Sequence, residues 1–442
     1  MPVCIRPPSG GSAFAVFCYR SLLGMGATER IGALAAAMER DLRSNVLPFW
    51  IERAPDPVHG GFVGWIDEDG TVNPRAPKGG VLNSRILWTF AAMSRRYADP
   101  IHLDLARRAL AFLYERFWDE EHGGVYWLVD PEGRPLVDRK QTYNLAFAVY
   151  GLAEFVRATG DAEARERAIT LFRTIEERTG DPTGGGYWEA RGRDWRPLED
   201  VRLSDKDQNA PKSMNTHLHV MEAYANLLRV WPDPGLRSRL GDLVRLHLER
   251  IVDPESGHLK LFFDESWRPR RRDVSFGHDI EASWLLVEAA AQTGDERLLE
   301  RAREGSALLF RTALAEGLDA ARGGLFAERP AEGRLDDEKH WWIQAEAVVG
   351  FLNAWEQTSD VAFLDAAESV WRFVSSFLID RDHGEWRWRV ARDGSPIPGL
   401  PKVEPWKCPY HNGRAALEVL SRSERIGARR APLPPRRPAE TS

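Results

Sequence analysis

The sequence predicts an all-α fold: an (α/α)6 barrel of twelve helices, with short β-hairpins in the connecting loops. Three observations predict it. Six short glycine-led segments recur along nearly all of the 442 residues. Each interval between them holds two helical patterns of roughly 15–20 residues. The period, roughly sixty residues, exceeds that of thin solenoid repeats and fits one helix pair plus a hairpin.

The segments read HGGFVGWIDEDG from His59, HGGVYWLVDPEG from His122 and GGGYWEARGRDW from Gly184, then GHLKLFFDESW from Gly257, GGLFAERPAEG from Gly323 and HGEWRWRVARDG from His383. Each has a turn glycine, alternating aromatic and apolar residues and a second turn, which is the pattern of a short hairpin or extended loop. Helical patterns run over 28–52, 79–98, 101–117, 140–159, 162–179 and 208–230, then over 236–251, 276–293, 296–316, 337–358, 361–379 and 407–423. Six such pairs closing on themselves surround a single pocket. One catalytic domain therefore spans 28–424. Residues 1–27 read as a disordered extension: their apolar stretch is broken by Arg20 and lacks a basic lead, so it does not read as a signal peptide. Residues 425–442 read as a disordered tail rich in proline and arginine.

Composition narrows the function. A net charge of −6 leaves no basic footprint for nucleic acid. No segment is long and apolar enough for a membrane span. Three cysteines, Cys4, Cys18 and Cys408, give no disulfide framework, so a reducing, cytoplasmic setting is expected. Seventeen tryptophans are unusual, because each buried indole N–H needs a partner. Most fill the wide barrel, but a pocket with flat aromatic walls suits the apolar faces and polar edges of sugars.

The polar starts of four helices, KQTYN, PKSMNTHLH, SFGHDIEASW and EKHWWIQAEA, lie at matching repeat positions and should converge at one mouth. Of eleven histidines, His59, His122 and His383 belong to the hairpin turns, and His102, His247, His258 and His340 sit in charged surroundings that predict exposure. Of the other four, His217 lies beside His219, and His219, His278 and His411 are the candidates, each near the start of an inner helix. Each has polar company on its own helix face: Asn215 with His219, Glu281 with His278, Arg414 with His411. Imidazole titrates near pH 6.5, so histidines here suit acid–base work. A metal site is the weaker reading, since His217 and His219 point to different sides of their helix and no HExxH or CxxC spacing occurs. No phosphate loop, dinucleotide fingerprint or GxSxG elbow is present, so no cofactor is expected. Cys408 lacks an orienting third group and reads as a packed thiol.

The strings NTHLHVMEAY, FGHDIEASWLL, KHWWIQAEA and WKCPYHNGR resemble the N-acylglucosamine 2-epimerase superfamily, and most of all its cellobiose 2-epimerase branch, over residues 28–424. The resemblance implies the same barrel. It implies that His278 and His411 are the catalytic acid–base pair, assisted by His219 near the ring oxygen and O1. It also implies that Arg85, Tyr143, Asn215 and Glu281 bind the reacting sugar, that Trp341 or Trp342 contacts it, and that Trp406 stacks on the second ring of a disaccharide. The expected reaction is reversible 2-epimerisation of the glucose-type reducing end of cellobiose or lactose to mannose. In it Arg85 faces the charge on O1, and Glu281 fixes the His278 tautomer. A mannose 2-epimerase or mannose–fructose isomerase is the nearest alternative. A glycoside hydrolase using two of Glu281, Glu346, Asp279 and Glu404, and a non-catalytic binding barrel, stand further off. The expected partner is a small carbohydrate. The closed barrel predicts a monomer, with a dimer open.

Overall fold

The computed structural model describes residues 25–430. Twelve helical rods form two concentric rings. The inner ring runs α3 (Gly80–Arg96), α5 (Thr142–Thr159), α7 (Met214–Leu228), α9 (Phe276–Thr293), α11 (Trp341–Thr358) and α13 (Tyr410–Arg430), and α13 packs back on α3 to close it. The first outer rod joins α1 (Ala27–Asp41) to α2 (Leu47–Glu52) through a π turn. The other outer rods are α4 (Pro100–Phe112), α6 (Ala162–Thr174), α8 (Pro234–Leu246), α10 (Glu296–Thr312) and α12 (Val361–Phe373).

The two rings differ for sequence reasons. Inner helices are apolar nearly all round and buried from end to end, as in α5, where Thr142 to Val156 are all buried. Outer helices carry an apolar stripe and a charged face. The five outer helices after the first rod start on aspartate caps, Asp99, Asp161, Asp233, Asp295 and Asp360, whose carboxylates accept early backbone N–H groups. These same five rods end in a π turn, at 113–117, 175–179, 247–251, 313–317 and 374–378.

After each outer rod the chain makes the predicted glycine turn. Six matching bridges close these turns: Pro55 with Phe62, Trp118 with Val125, Gly180 with Tyr187, Val252 with Leu259, Leu318 with Leu325 and Ile379 with Trp386. The strands are very short. β1 (Lys78–Gly79) pairs with β2 (Leu128–Val129), which also pairs with β3 (Pro135–Val137). Then β4 (Lys140–Gln141) pairs with β5 (Ala190–Arg191), β6 (Lys212–Ser213) with β7 (Phe262–Phe263), β8 (Val274–Ser275) with β9 (Glu328–Arg329), and β10 (Lys339–His340) with β11 (Arg389–Val390). Each lead-in to an inner helix thus pairs with the hairpin of the next repeat. Ile66 of the first hairpin pairs with Val403 before the last helix, which closes the ring at the mouth. The hairpins and the N-termini of the inner helices share this end.

Buried ion pairs fasten the repeats: Lys78–Asp56 at 2.7 Å, Lys140–Asp119 at 2.7 Å, Lys212–Asp181 at 2.6 Å, Lys339–Asp319 at 3.5 Å and Lys402–Asp380 at 2.7 Å. In the fourth repeat the lysine position holds Val274.

Several expectations need correction. α7, α11 and α13 begin later than predicted, because the polar lead-ins at Lys212–Ser213 and Lys339–His340 are strands. α13 runs past the expected domain boundary at 424 to Arg430, with Ile426 buried. Residues 1–24 and 431–442, most of both regions expected to be disordered, lie outside the described residues. His102, His247 and His258 are buried, and His340 is only partly exposed. Local charge density misled there, because tertiary contacts cover these side chains: His247 bonds the Leu243 carbonyl and His258 the Asp279 carboxylate. Among the described residues no helix is long and apolar enough to cross a membrane.

Candidate active site

At the N-terminal end of the inner ring, helix position decides what faces the axis. Arg85, Phe147, His219, Glu281 and Glu346 are each the sixth residue of their helices. His278 and His411 sit in the first turn of theirs. The three candidate histidines are therefore not strictly equivalent: His219 lies about one turn deeper than the other two.

A chain of buried charges forms the floor. His219 Nδ1–H donates to Glu222 Oε2 at 2.8 Å. Glu222 Oε1 accepts from the Tyr410 hydroxyl and from Arg414 Nη1. Arg414 Nη2 donates to Glu281 Oε1 at 2.8 Å and Glu346 Oε1 at 2.6 Å. His411 Nδ1–H donates to Glu346 Oε1 at 2.7 Å, and Trp284 Nε1–H to Glu346 Oε2 at 3.1 Å. His219 and His411 thus each have a carboxylate that fixes the Nδ1–H tautomer and leaves Nε2 free to accept a proton.

His278 is held differently. Its Nδ1 lies 2.8 Å from Ser275 Oγ. Glu281, expected to fix its tautomer, is spent on Arg414 instead, because the sixth helix position faces the axis rather than the neighbouring turn.

The walls are aromatic. The Trp342 ring stands 4.9 Å from His278 and 5.7 Å from His411. Trp341 packs outward on Trp388 at 4.6 Å, beneath the Lys407 ammonium. Of the tryptophan pair, Trp342 is therefore the one in ring contact with both histidines, Trp341 reaching only His411 at 6.2 Å. Across the mouth, Arg85 Nη2 donates to the Tyr143 hydroxyl at 2.7 Å and Nη1 to the Trp406 carbonyl at 3.3 Å. Tyr143 packs on His219 at 5.0 Å and on Trp406 at 5.8 Å. Asn215 is half-buried, and its Oδ1 is buried without a hydrogen-bond partner, an acceptor suited to a sugar hydroxyl.

Burial sets the protonation states. It pushes the imidazoles of His219, His278 and His411 below the ordinary value, and for His411 the nearby Arg85 and Arg414 add to it. Burial, then repulsion from Glu346, lifts Glu281 to about 8. Glu222 is raised by burial, but Arg414 and His219 outweigh this and leave it at about 2. Burial thus favours neutral imidazoles and a protonated Glu281.

Glu281, Glu346 and His411 place ligand atoms within 4.8 Å of one another. The Arg414 guanidinium already donates to both carboxylates and supplies the positive charge there. The same contact argues against a hydrolase pair, which needs two carboxylates flanking a glycosidic bond with the sugar between them. Behind Arg414, toward the far end of the barrel, a chamber of about 50 Å³ and a cavity of about 1130 Å³ are edged by Trp88, Trp284 and Glu288.

The structure brings together His219, His278, His411, Arg85, Tyr143, Glu281, Trp342 and Trp406 in one network of contacts. Sequence reasoning missed Glu222, Tyr410 and Ser275, and weighed Glu346 only as a hydrolase carboxylate. Two signals were available: Glu222 is three residues past His219 on the same helix face, and Glu346 shares the sixth helix position with His219 and Glu281.

An (α/α)6 barrel with histidines paired to carboxylates at an aromatic mouth defines an acid–base enzyme. The model of the N-acylglucosamine 2-epimerase family matches residues 60–412. A cellobiose 2-epimerase from Bacteroides fragilis is 44% identical over 387 residues, 88% of this chain and 98% of that protein. The solved cellobiose 2-epimerase of Bacillus thermoamylovorans B4167 superposes with a TM-score of 0.85 at 38% identity, covering 88% of this chain and 100% of that one. A D-mannose isomerase shares the fold, with a TM-score of 0.75 at 20% identity over 90% of this chain and 100% of that one. The chain belongs to the N-acylglucosamine 2-epimerase family. It is an isomerase, a carbohydrate 2-epimerase.

Proposed function

We propose that the chain interconverts the glucose and mannose configurations at the reducing end of β-1,4-linked disaccharides such as cellobiose and lactose. The observation that carries this reading is that His278 and His411 both pack against the Trp342 ring, at 4.9 and 5.7 Å. Similarity to the Bacteroides fragilis enzyme over nearly its whole length supports the disaccharide class.

The C2–H bond of an aldose is acidic only beside a carbonyl, so the pyranose ring opens first. One neutral histidine takes the C2 proton. The C–H electron pair becomes the C1–C2 double bond, and the carbonyl pair moves onto O1, giving a cis-enediolate. Arg85 is the permanent cation facing that oxygen. The other histidine delivers a proton to the opposite face of C2, the C1 carbonyl re-forms and the ring closes. Protons alone balance the sequence. The histidine that delivers the proton enters this step as an imidazolium, charged from solvent, and the one that took the C2 proton leaves as an imidazolium, so net charge is conserved. Trp406, beside Trp127 at 5.7 Å, offers a face for the second sugar ring.

Separate His278→Ala and His411→Ala variants test the pair. Each is expected to lose at least about a thousandfold in kcat, since each removes one of two obligatory proton-transfer groups. Normal turnover in both would refute the two-base mechanism.

A further inference from the structure

The six glycine turns are built alike. In each, the aspartate N–H bonds the carbonyl five residues on: Asp56 to Gly61, Asp119 to Gly124, Asp181 to Gly186, Asp253 to His258, Asp319 to Gly324 and Asp380 to Glu385. That fifth position is glycine in four repeats and carries a side chain in two, His258 and Glu385.

The four glycines share a positive φ, and at two of them an inner-helix side chain also fills the space a Cβ would take. A Cβ at Gly186 would lie 2.5 Å from His217 Nε2, and one at Gly324 would lie 2.9 Å from Gln344 Oε1. In these repeats the helix side chain reaches out to the hairpin: His217 Nε2 accepts the Tyr187 N–H and Gln344 Oε1 the Leu325 N–H. In the fourth and sixth repeats the helix offers a shorter side chain, and the hairpin reaches in. His258 Nδ1–H donates to Asp279 Oδ2 at 2.7 Å, while Asp279 Oδ1 accepts the Leu259 N–H. Glu385 Oε1 accepts from Asn412 Nδ2 at 2.7 Å and from Lys407 Nζ at 3.0 Å. Asp279 directly follows His278, and Asn412 directly follows His411.

Glu385 keeps this contact at a cost. Its φ is +62°, in the left-handed region that its glycine counterparts occupy freely. Strain of this kind persists where the surrounding contacts over-determine it, here those of Asn412, Lys407 and the Trp50 indole N–H with the Glu385 carboxylate. Both residues are buried and neither belongs to the wall of the site.

We propose that His258 and Glu385 are positioning residues for His278 and His411 respectively, each clamping the first turn of the helix that carries one base. The inference rests on the two-base reading above. Each clamp serves one base, and each base serves one face of C2, so the two clamps have separable effects.

The test compares His258→Gly, which installs the residue of the other turns, His258→Asn, which keeps a donor near Nδ1, and Glu385→Gln. Epimerisation of cellobiose is followed in both directions with substrate deuterated at C2. His258→Gly and Glu385→Gln are expected to lose roughly ten- to hundredfold in kcat, with KM changed by less than about threefold. His258→Asn restores much of the loss. The deuterium effect rises in one direction for His258→Gly and in the opposite direction for Glu385→Gln. Equal changes in both directions, or unchanged kcat, would overturn the assignment. Histidine-ring NMR tests it without turnover. His258→Gly is expected to shift the His278 signal and not that of His411, and Glu385→Gln the reverse; the opposite or a common response refutes the clamps. Absence of C2 exchange in the unmodified enzyme would instead refute the reaction itself.

Discussion

A buried imidazole stays neutral to a lower pH than a free one, and this sets the acid limit of the enzyme. Desolvation holds His219, His278 and His411 below the ordinary value of about 6.5. A base works only when deprotonated, so activity falls as pH drops through the lowered value. The acid limb of kcat/KM is therefore expected well below pH 6.5; a limb at or above 6.5 in a pH–rate profile would contradict it. At this scale the sequence showed which histidines matter but not what holds them. Helix spacing offered Asn215 for His219, which Glu222 in fact holds, and Glu281 for His278, which Ser275 holds. The missing information was tertiary: Arg414, more than a hundred residues away in the chain, claims Glu281. Buried His247 shows the same limit. Its Nδ1–H is satisfied by the Leu243 carbonyl at 2.8 Å, a partner that charged neighbours in the sequence do not reveal.

At the scale of elements, the lysine–aspartate pairs fasten hairpin to helix. Truncating one partner strands a buried charge. Lys78→Ala is thus expected to destabilise the fold by about 3 kcal/mol, measured by urea unfolding. A change below about 0.5 kcal/mol would mean the pair adds only surface-like stabilisation. Helices were legible because two apolar-periodic stretches recur between the six glycine-led segments. Their starts were less so, because two-residue strands carry no periodic signal and their polar residues continue the helical pattern. The glycine at the fifth turn position illustrates what a repeat can and cannot say. Its recurrence marks the turn, while its replacement by His258 and Glu385 gains meaning only when Asp279 and Asn412 are seen beside it.

Over the whole molecule, the ring closes through Ile66 and Val403, and every hairpin carries an acidic turn residue. Asp56 is raised by burial, but Lys78 and the N–H groups of His59 and Val58 outweigh this and hold it at about 2. Glu222, with Arg414, is also at about 2. Carboxylates lowered in the folded state stabilise it fully above their unfolded values of about 4, and that contribution is lost as pH falls toward 2. Circular dichroism is expected to show acid unfolding in that window; an unfolding midpoint above pH 5 would place the weakness elsewhere. The closed architecture was readable from the repeat, since six helix pairs of similar length close on themselves around one pocket.

The central claim is proton transfer at C2 of a disaccharide by two histidines. The most direct test incubates the purified, EDTA-treated protein with lactose, cellobiose, mannose and glucose in D2O and follows the products by NMR. The account predicts the 2-epimer of the disaccharides with deuterium at C2. Conversion of mannose alone would contradict the disaccharide assignment, and cleavage to monosaccharides without exchange at C2 would contradict the mechanism.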